Sequence, residues 1–125
     1  MRNSLRVDKA KFTRSRQTNQ ITQLIISGGI SLADIESSNP AENGLNISLG
    51  GQTFTIPAEA FKAKGEKFSC SKVLLASGET AYASLDFNKC TFTVTLKGMK
   101  IEGTGAINFN MEFGEFSEET WLKTP

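Results

Sequence analysis

The chain is 125 residues long, with 14 lysines and arginines against 13 aspartates and glutamates, and it contains no histidine. That length supports one domain, over residues 1–125, burying about two-thirds of its unfolded surface, and 38% hydrophobic with 22% charged residues excludes a disordered or membranous composition. The missing histidine removes the commonest general base, the usual activator of a Ser or Cys nucleophile and the commonest transition-metal ligand, while a net charge of +1 lacks the basic excess of a nucleic-acid-binding domain.

Period-two alternation of polar and apolar residues dominates the chain. Leu5 to Thr13 carries Leu5, Val7 and Phe12, and Gln20 to Ser27 carries Ile21, Leu24, Ile25 and Ile26. Gly28-Gly29 reads as a turn between strands, and Leu32 to Asn43, with Ser37-Ser38-Asn39-Pro40, as a surface loop. Leu45 to Leu49 and Gln52 to Ile56 alternate on either side of Gly50-Gly51. Both glycines tolerate positive φ, so these runs predict a hairpin. Pro57 to Lys64 is the one stretch that reads as helical, with a proline in its first turn, helix formers after it and Gly65 as a stop. About two turns long, it would serve as a connector. Ala81 to Phe87 and Thr91 to Lys97 alternate around a short Asn88-Lys89 turn, and Ile107 to Phe113 repeats the pattern. The expected fold is therefore all-β, an antiparallel β-sandwich of about eight strands with one short helical connector. A closed barrel is the nearest competitor.

Charge is unevenly placed. Residues 1–16 hold Arg2, Arg6, Lys9, Lys11, Arg14 and Arg16 against Asp8, a local +5, and residues 112–125 hold Glu112, Glu115, Glu118 and Glu119 against Lys123, a local −3. Two solvated terminal strands lying side by side would offset each other. The sharper alternative is salt-sensitive attraction between neighbouring domains or copies through the charged termini. No run approaches the ~18 apolar residues of a membrane span, so none is expected, and the N-terminus lacks the apolar core of a signal peptide. That fits a cytoplasmic chain or a mature fragment with an added start methionine. Cys70 and Cys90 are two unrelated thiols at strand edges or, in an oxidising compartment, one disulfide closing a loop of about 20 residues.

A longer pattern lies in the second half. Phe61-Lys62-Ala63-Lys64-Gly65-Glu66-Lys67-Phe68-Ser69 is followed by Ala83-Ser84-Leu85-Asp86-Phe87-Asn88-Lys89-Cys90-Thr91-Phe92-Thr93-Val94. Lys97-Gly98-Met99-Lys100-Ile101-Glu102-Gly103 and a closing run from Ile107 to Phe116 complete it. This order resembles a β-sandwich repeat of large bacterial secreted and cell-surface proteins, over about residues 20–116, through strand and turn signals. Such repeats commonly have an aromatic residue and a glycine where this chain has Cys70 and Cys90. That paired departure favours a disulfide between them. The resemblance implies an extracytoplasmic structural or binding domain, with no catalytic residues to carry over.

Constellations that carry chemistry are few. Glycoside hydrolysis needs only two carboxylates, and Glu102, Glu112, Glu115, Glu118 and Glu119 are numerous, but nothing in the sequence sets a pair at the required spacing. Asp34 and Glu36 could contribute to a calcium loop, although no Asp-x-Asp-x-Asp-Gly motif is present. Gly50-Gly51 and Gly103-Thr104-Gly105 read as turns and not as phosphate cradles. Cys70 and the serines lack a histidine to activate them. No metal site and no cofactor are expected. Carbohydrate binding is the positive alternative, since an aromatic face suits the C–H face of a pyranose. Tyr82, the only tyrosine, shares an outward face with Ser84 and Asp86, and Trp121, the only tryptophan, lies beyond the last expected strand. Thr91, Thr93 and Thr95 form an outward threonine row, as β-branched residues on a solvent-facing strand do.

The expected function is thus a non-catalytic structural or interaction module, of the adhesion type, of a secreted or cell-surface protein. Its expected partners are protein neighbours or further copies of itself. The alternative is a carbohydrate-binding module that uses Tyr82, Asp86 or Trp121, with a glycan as partner.

Overall fold

A computed structural model describes residues 3–32 and 38–124. It contains ten strands in two antiparallel sheets. In chain order these are β1 (Ser4–Arg14), β2 (Ile21–Ser31), β3 (Leu45–Leu49), β4 (Gln52–Ile56), β5 (Lys62–Lys64), β6 (Lys67–Leu74), β7 (Thr80–Asp86), β8 (Thr91–Ile101), β9 (Ala106–Phe113) and β10 (Phe116–Lys123). A six-stranded sheet runs β1-β2-β8-β7-β6-β5, and a four-stranded sheet runs β10-β9-β3-β4. Their inner faces pack on each other as a β-sandwich. No helix among the described residues is long and apolar enough to cross a membrane.

The alternation that marks the strands also builds the core. On β8, Phe92, Val94 and Leu96 turn inward, and on β7 Ala81, Ala83 and Leu85 do the same. Ile47 and Leu49 of β3 and Phe109, Met111 and Phe113 of β9 face them from the other sheet. Each large side chain removed from water in this way contributes about 1.5–3 kcal/mol. Phe113 and Phe116 stack at 4.7 Å across the β9–β10 hairpin, and Phe87 joins Phe113 to Phe68 at the sandwich edge.

Four local expectations need correction. Among the described residues the strands number ten and not about eight, because β5, β6 and β10 carry weak alternation. The helical connector over residues 57–64 does not form. Pro57 leads into a 3-10 turn at Ala58–Ala60, Phe61 is buried, and Lys62–Lys64 pairs with Lys67–Ser69 around Gly65 at φ 63°. Two helical turns are marginal alone, whereas the hairpin satisfies the backbone and buries Phe61 and Phe68. A one-turn helix, α1 (Pro40–Asn43), instead occupies part of the expected surface loop. The Asn39 side chain accepts the Glu42 amide at 3.0 Å, and Pro40 sits in the first turn, a capping signature. Finally, Gly28 and Gly29 lie inside β2. The paired register shifts between Val7 and Lys9, where Asp8 bulges from β1, and a Cβ on Gly28 would land on the Arg6 carbonyl. A glycine is needed there for close approach, and no turn forms. Gly50 and Gly51, at φ 58° and 88°, do form the expected hairpin turn.

Candidate functional site

With the inner faces filled by apolar side chains, chemistry is left to the two outer faces. Both outer faces follow from strand parity, and register then sets which side chains meet.

On the six-stranded sheet one row crosses all six strands. Lys62 of β5 pairs with Ser69 of β6, which pairs with Ser84 of β7, then Thr93 of β8, Ser27 of β2 and Lys9 of β1. Five strand spacings make this row about 24 Å long. Two residues further along the strands, Tyr82, Thr95, Ile25 and Lys11 form a second row. The Lys97 ammonium stands 5.5 Å from the centroid of the Tyr82 ring, a cation–π contact. Between the Ala60 turn and these rows lies an open groove of about 510 Å³, lined by Lys62, Ser69, Ser71, Tyr82, Ser84, Thr93 and Thr95. The hydroxyls of Ser69, Ser84, Thr93, Thr95 and Ser27 make no hydrogen bond to another described residue. Arg6, Lys9, Lys11, Lys62, Lys64, Lys67 and Lys97 all fall on this face or its rim, against Asp8 and Asp86.

The two carboxylates on this face are already engaged. Arg6 Nε lies 2.9 Å from Asp8 Oδ1, the one ion pair among the described residues. Hydrogen bonding and charge hold the Asp8 carboxyl below, and the Arg6 guanidinium above, their ordinary values. Asp86 Oδ1 accepts the backbone amides of Asn88 at 3.0 Å and Lys89 at 3.1 Å, which fastens the β7–β8 turn. The expected neighbourhood of Tyr82, Ser84 and Asp86 is present, since the three share the outward side of β7. Asp86, however, sits at its turn end.

Trp121 lies elsewhere. It belongs to β10, within the sheet and not beyond its last strand, 66% exposed and opposite Asn108 of β9. That places it on the outside of the four-stranded sheet, on the far side of the sandwich from Tyr82. The polar residues of that outer face bond to one another. Ser48 and Thr53 hydroxyls meet at 3.0 Å, Thr55 donates to Asn46 at 2.7 Å, Asn108 to Glu119 at 3.4 Å and Ser117 to Glu112 at 3.2 Å. The exception is Asn110, whose Oδ1 is buried without a partner.

Of the two readings of Cys70 and Cys90, the disulfide that the resemblance favours does not form, and both thiols are free. Cys70 is on β6 and Cys90 immediately precedes β8, with β7 between them. Two strand spacings of about 4.8 Å already exceed the ~7 Å between Cα atoms that a disulfide spans. Cys90 instead occupies the turn at φ 56°, its thiol 3.7 Å from the Phe87 carbonyl, and burial pushes the Cys70 thiol up from its ordinary value. Asp34 and Glu36 lie outside the described residues. No cluster of three cysteines or carboxylates that could hold a metal ion exists among the described residues.

Sequence reasoning missed the two lysines that flank the groove. Lys97 simply continues the outward Thr91-Thr93-Thr95 parity and was legible there. Lys62 was hidden by the helical reading of its segment. The buried carboxylate of Glu79, with Oε1 unpartnered in the β6–β7 turn, left no signal at all. Among known proteins, no family model, no curated protein and no solved structure matches this chain.

Proposed function

We propose that the domain is a non-catalytic structural or interaction module of the adhesion type, acting through the outer faces of its sheets. The observation that carries this reading is the opposite charge of those faces. The basic beginning of the chain forms β1 on the outside of the six-stranded sheet, with Arg6, Lys9 and Lys11 in outward positions. The acidic end forms β9 and β10, and puts Glu112 and Glu119 on the outside of the four-stranded sheet against one cation, Lys123, at the end of β10. β1 runs beside β10, yet no β1 cation pairs with a β10 carboxylate among the described residues. Arg6 is paired with Asp8, so Lys9 and Lys11 are the β1 cations left for neighbours, and one copy's basic face complements the next copy's acidic face. Such a head-to-tail contact is heterologous and strings copies into an open array unless it closes. The carboxylates are divided between opposite faces, and burial of Cys70 disfavours its nucleophilic thiolate form, which supports a non-catalytic role. The likeness to secreted repeats supports an extracytoplasmic setting.

Sedimentation velocity at low and high salt tests the association. Self-association should appear at low salt and weaken as salt is added. Reversing Lys9 and Lys11 to glutamate should abolish it, as should reversing Glu112 and Glu119 to lysine, and mixing the two variants should restore mixed dimers. A chain that stays monomeric at low salt and high concentration overturns this mode of action.

A further inference from the structure

The groove beside Tyr82 lies on the β6–β8 part of the sheet, and the row that crosses it ends on Lys9 of β1, a residue the proposed array also uses. The groove holds hydroxyls with Lys62 at one end, and the row through it continues to Lys9 at the other. Ser and Thr hydroxyls both donate and accept hydrogen bonds. Those of Ser69, Ser84, Thr93 and Ser27 have no protein partner among the described residues. They stand in one line across four neighbouring strands, with Lys62 at one end and Lys9 at the other. Beside that line run the Tyr82 ring and Ile25, which is 37% exposed, so apolar surface flanks the polar row.

We propose that this row is a binding track for a linear anionic polysaccharide, the sugar hydroxyls meeting Ser69, Ser84, Thr93 and Ser27, a pyranose C–H face resting on Tyr82, and acidic groups reaching Lys62, Lys97 and Lys9. The inference rests on the reading of the domain as an interaction module and names a partner for it. Charge complementarity selects an anionic chain over a neutral one. The hydroxyl line selects a polyol over other polyanions. A nucleic acid presents a phosphate at every residue and is met by cations all along its path, whereas the hydroxyl row has cations only at its two ends, with the single Lys97 beside Tyr82 off the row. The one arginine near it, Arg6, is paired with Asp8. An acidic peptide would be expected to add to a strand edge through its backbone, and the track lies across the sheet face.

Isothermal titration of the whole chain tests the track. The probes are a uronic-acid tetrasaccharide, a sulfated tetrasaccharide, a neutral hexose tetrasaccharide, single-stranded DNA and polyglutamate. At least one of the two anionic saccharides should bind, with affinity falling as salt rises, and which of them binds more tightly identifies the acidic group. The neutral sugar should bind about tenfold more weakly or not at all, and Tyr82→Ala should weaken the anionic sugar by about tenfold, as expected for an aromatic anchor. Lys62→Gln with Lys9→Gln should weaken it by a similar factor at low salt and flatten the salt dependence. Both lysines are exposed, so the double variant keeps the test valid if Tyr82→Ala fails to fold. Trp121→Ala should bind as the parent chain does. Equal binding of DNA or polyglutamate, equal binding of the neutral sugar, loss of binding in Trp121→Ala, or no saccharide binding at all overturns the track. Salt-dependent self-association, measured on the same samples, separates the two claims. If it persists without saccharide binding, only the track falls. If both are absent, the interaction module falls with it.

Discussion

The two outer faces of this sandwich are made of similar residues on similar strands, but they use their polar groups in opposite ways. On the four-stranded sheet, Ser48 with Thr53, Thr55 with Asn46, Asn108 with Glu119 and Ser117 with Glu112 bond across strands, a lattice of internal pairs in which Asn110 Oδ1 is the exception. On the six-stranded sheet, the corresponding hydroxyls of Ser69, Ser84, Thr93 and Ser27 bond to no described residue and stand between lysines. Cross-strand pairs are the unit of sheet stabilisation. A face whose polar groups pair internally stabilises the fold, and one whose groups point unpaired to solvent offers them to a partner. The difference between the faces therefore separates stability from recognition.

The largest effects should ignore that difference. Phe109→Ala on the inner side of the four-stranded sheet and Phe92→Ala on the inner side of the six-stranded sheet should each cost about 3–5 kcal/mol in chemical denaturation, because both rings fill the shared core. A gross imbalance between them would show that the sheets are stabilised separately. Gly28→Ala should cost about 1–3 kcal/mol through overpacking against the Arg6 carbonyl, with loss of amide protection concentrated in β1 and β2. Loss spread evenly over both sheets would contradict a local clash.

Smaller substitutions sharpen the contrast itself. Asn46→Ala, which removes the acceptor of Thr55, should cost about 1 kcal/mol, whereas Ser84→Ala should stay within about 0.5 kcal/mol of the parent. Equal costs on the two faces would undo the distinction. The cysteines offer a finer probe. Cys90, half-buried in its turn, should react with a thiol reagent in the native protein well before the buried Cys70. Because the folded Cys70 thiol titrates above its unfolded counterpart, its contribution to stability is complete below the ordinary thiol range. That contribution falls away as pH rises through the raised folded value, and Cys70→Ala should remove this alkaline loss. The smallest effect belongs to Arg6 and Asp8. The depressed Asp8 carboxyl adds stability above the ordinary carboxylate range that disappears on acidification through its folded value. Both groups are fully exposed, so Asp8→Asn should change the acid limb of a stability profile only slightly.

Much of this was legible before any coordinates, because strand parity is local. The inward positions of Phe92, Val94 and Leu96, the shared face of Tyr82, Ser84 and Asp86, and the Gly50-Gly51 hairpin all follow from neighbouring residues. Pairing order is not local. Nothing in the sequence near Thr93 tells that Ser27, 66 residues earlier, lies beside it, so the row from Lys62 to Lys9 could not be read. The same gap explains Cys70 and Cys90, whose spacing in the chain suits a disulfide although β7 separates them. It also explains Trp121 and Tyr82, which parity shows as outward but which only topology assigns to opposite sides. Lys62 was lost to a different cause. Its segment has helical propensity, and a two-residue glycine turn with burial of Phe61 and Phe68 overrode it.

A proton–nitrogen correlation spectrum of the labelled chain, titrated with the anionic tetrasaccharide, tests the division of the faces most directly. The account predicts shifts at Ser69, Tyr82, Ser84, Thr93 and Ser27, with Asn46, Ser48, Asn108 and the Trp121 indole unmoved. Shifts centred on Trp121, Asn108 and Asn110, or a spectrum that does not change, would contradict it.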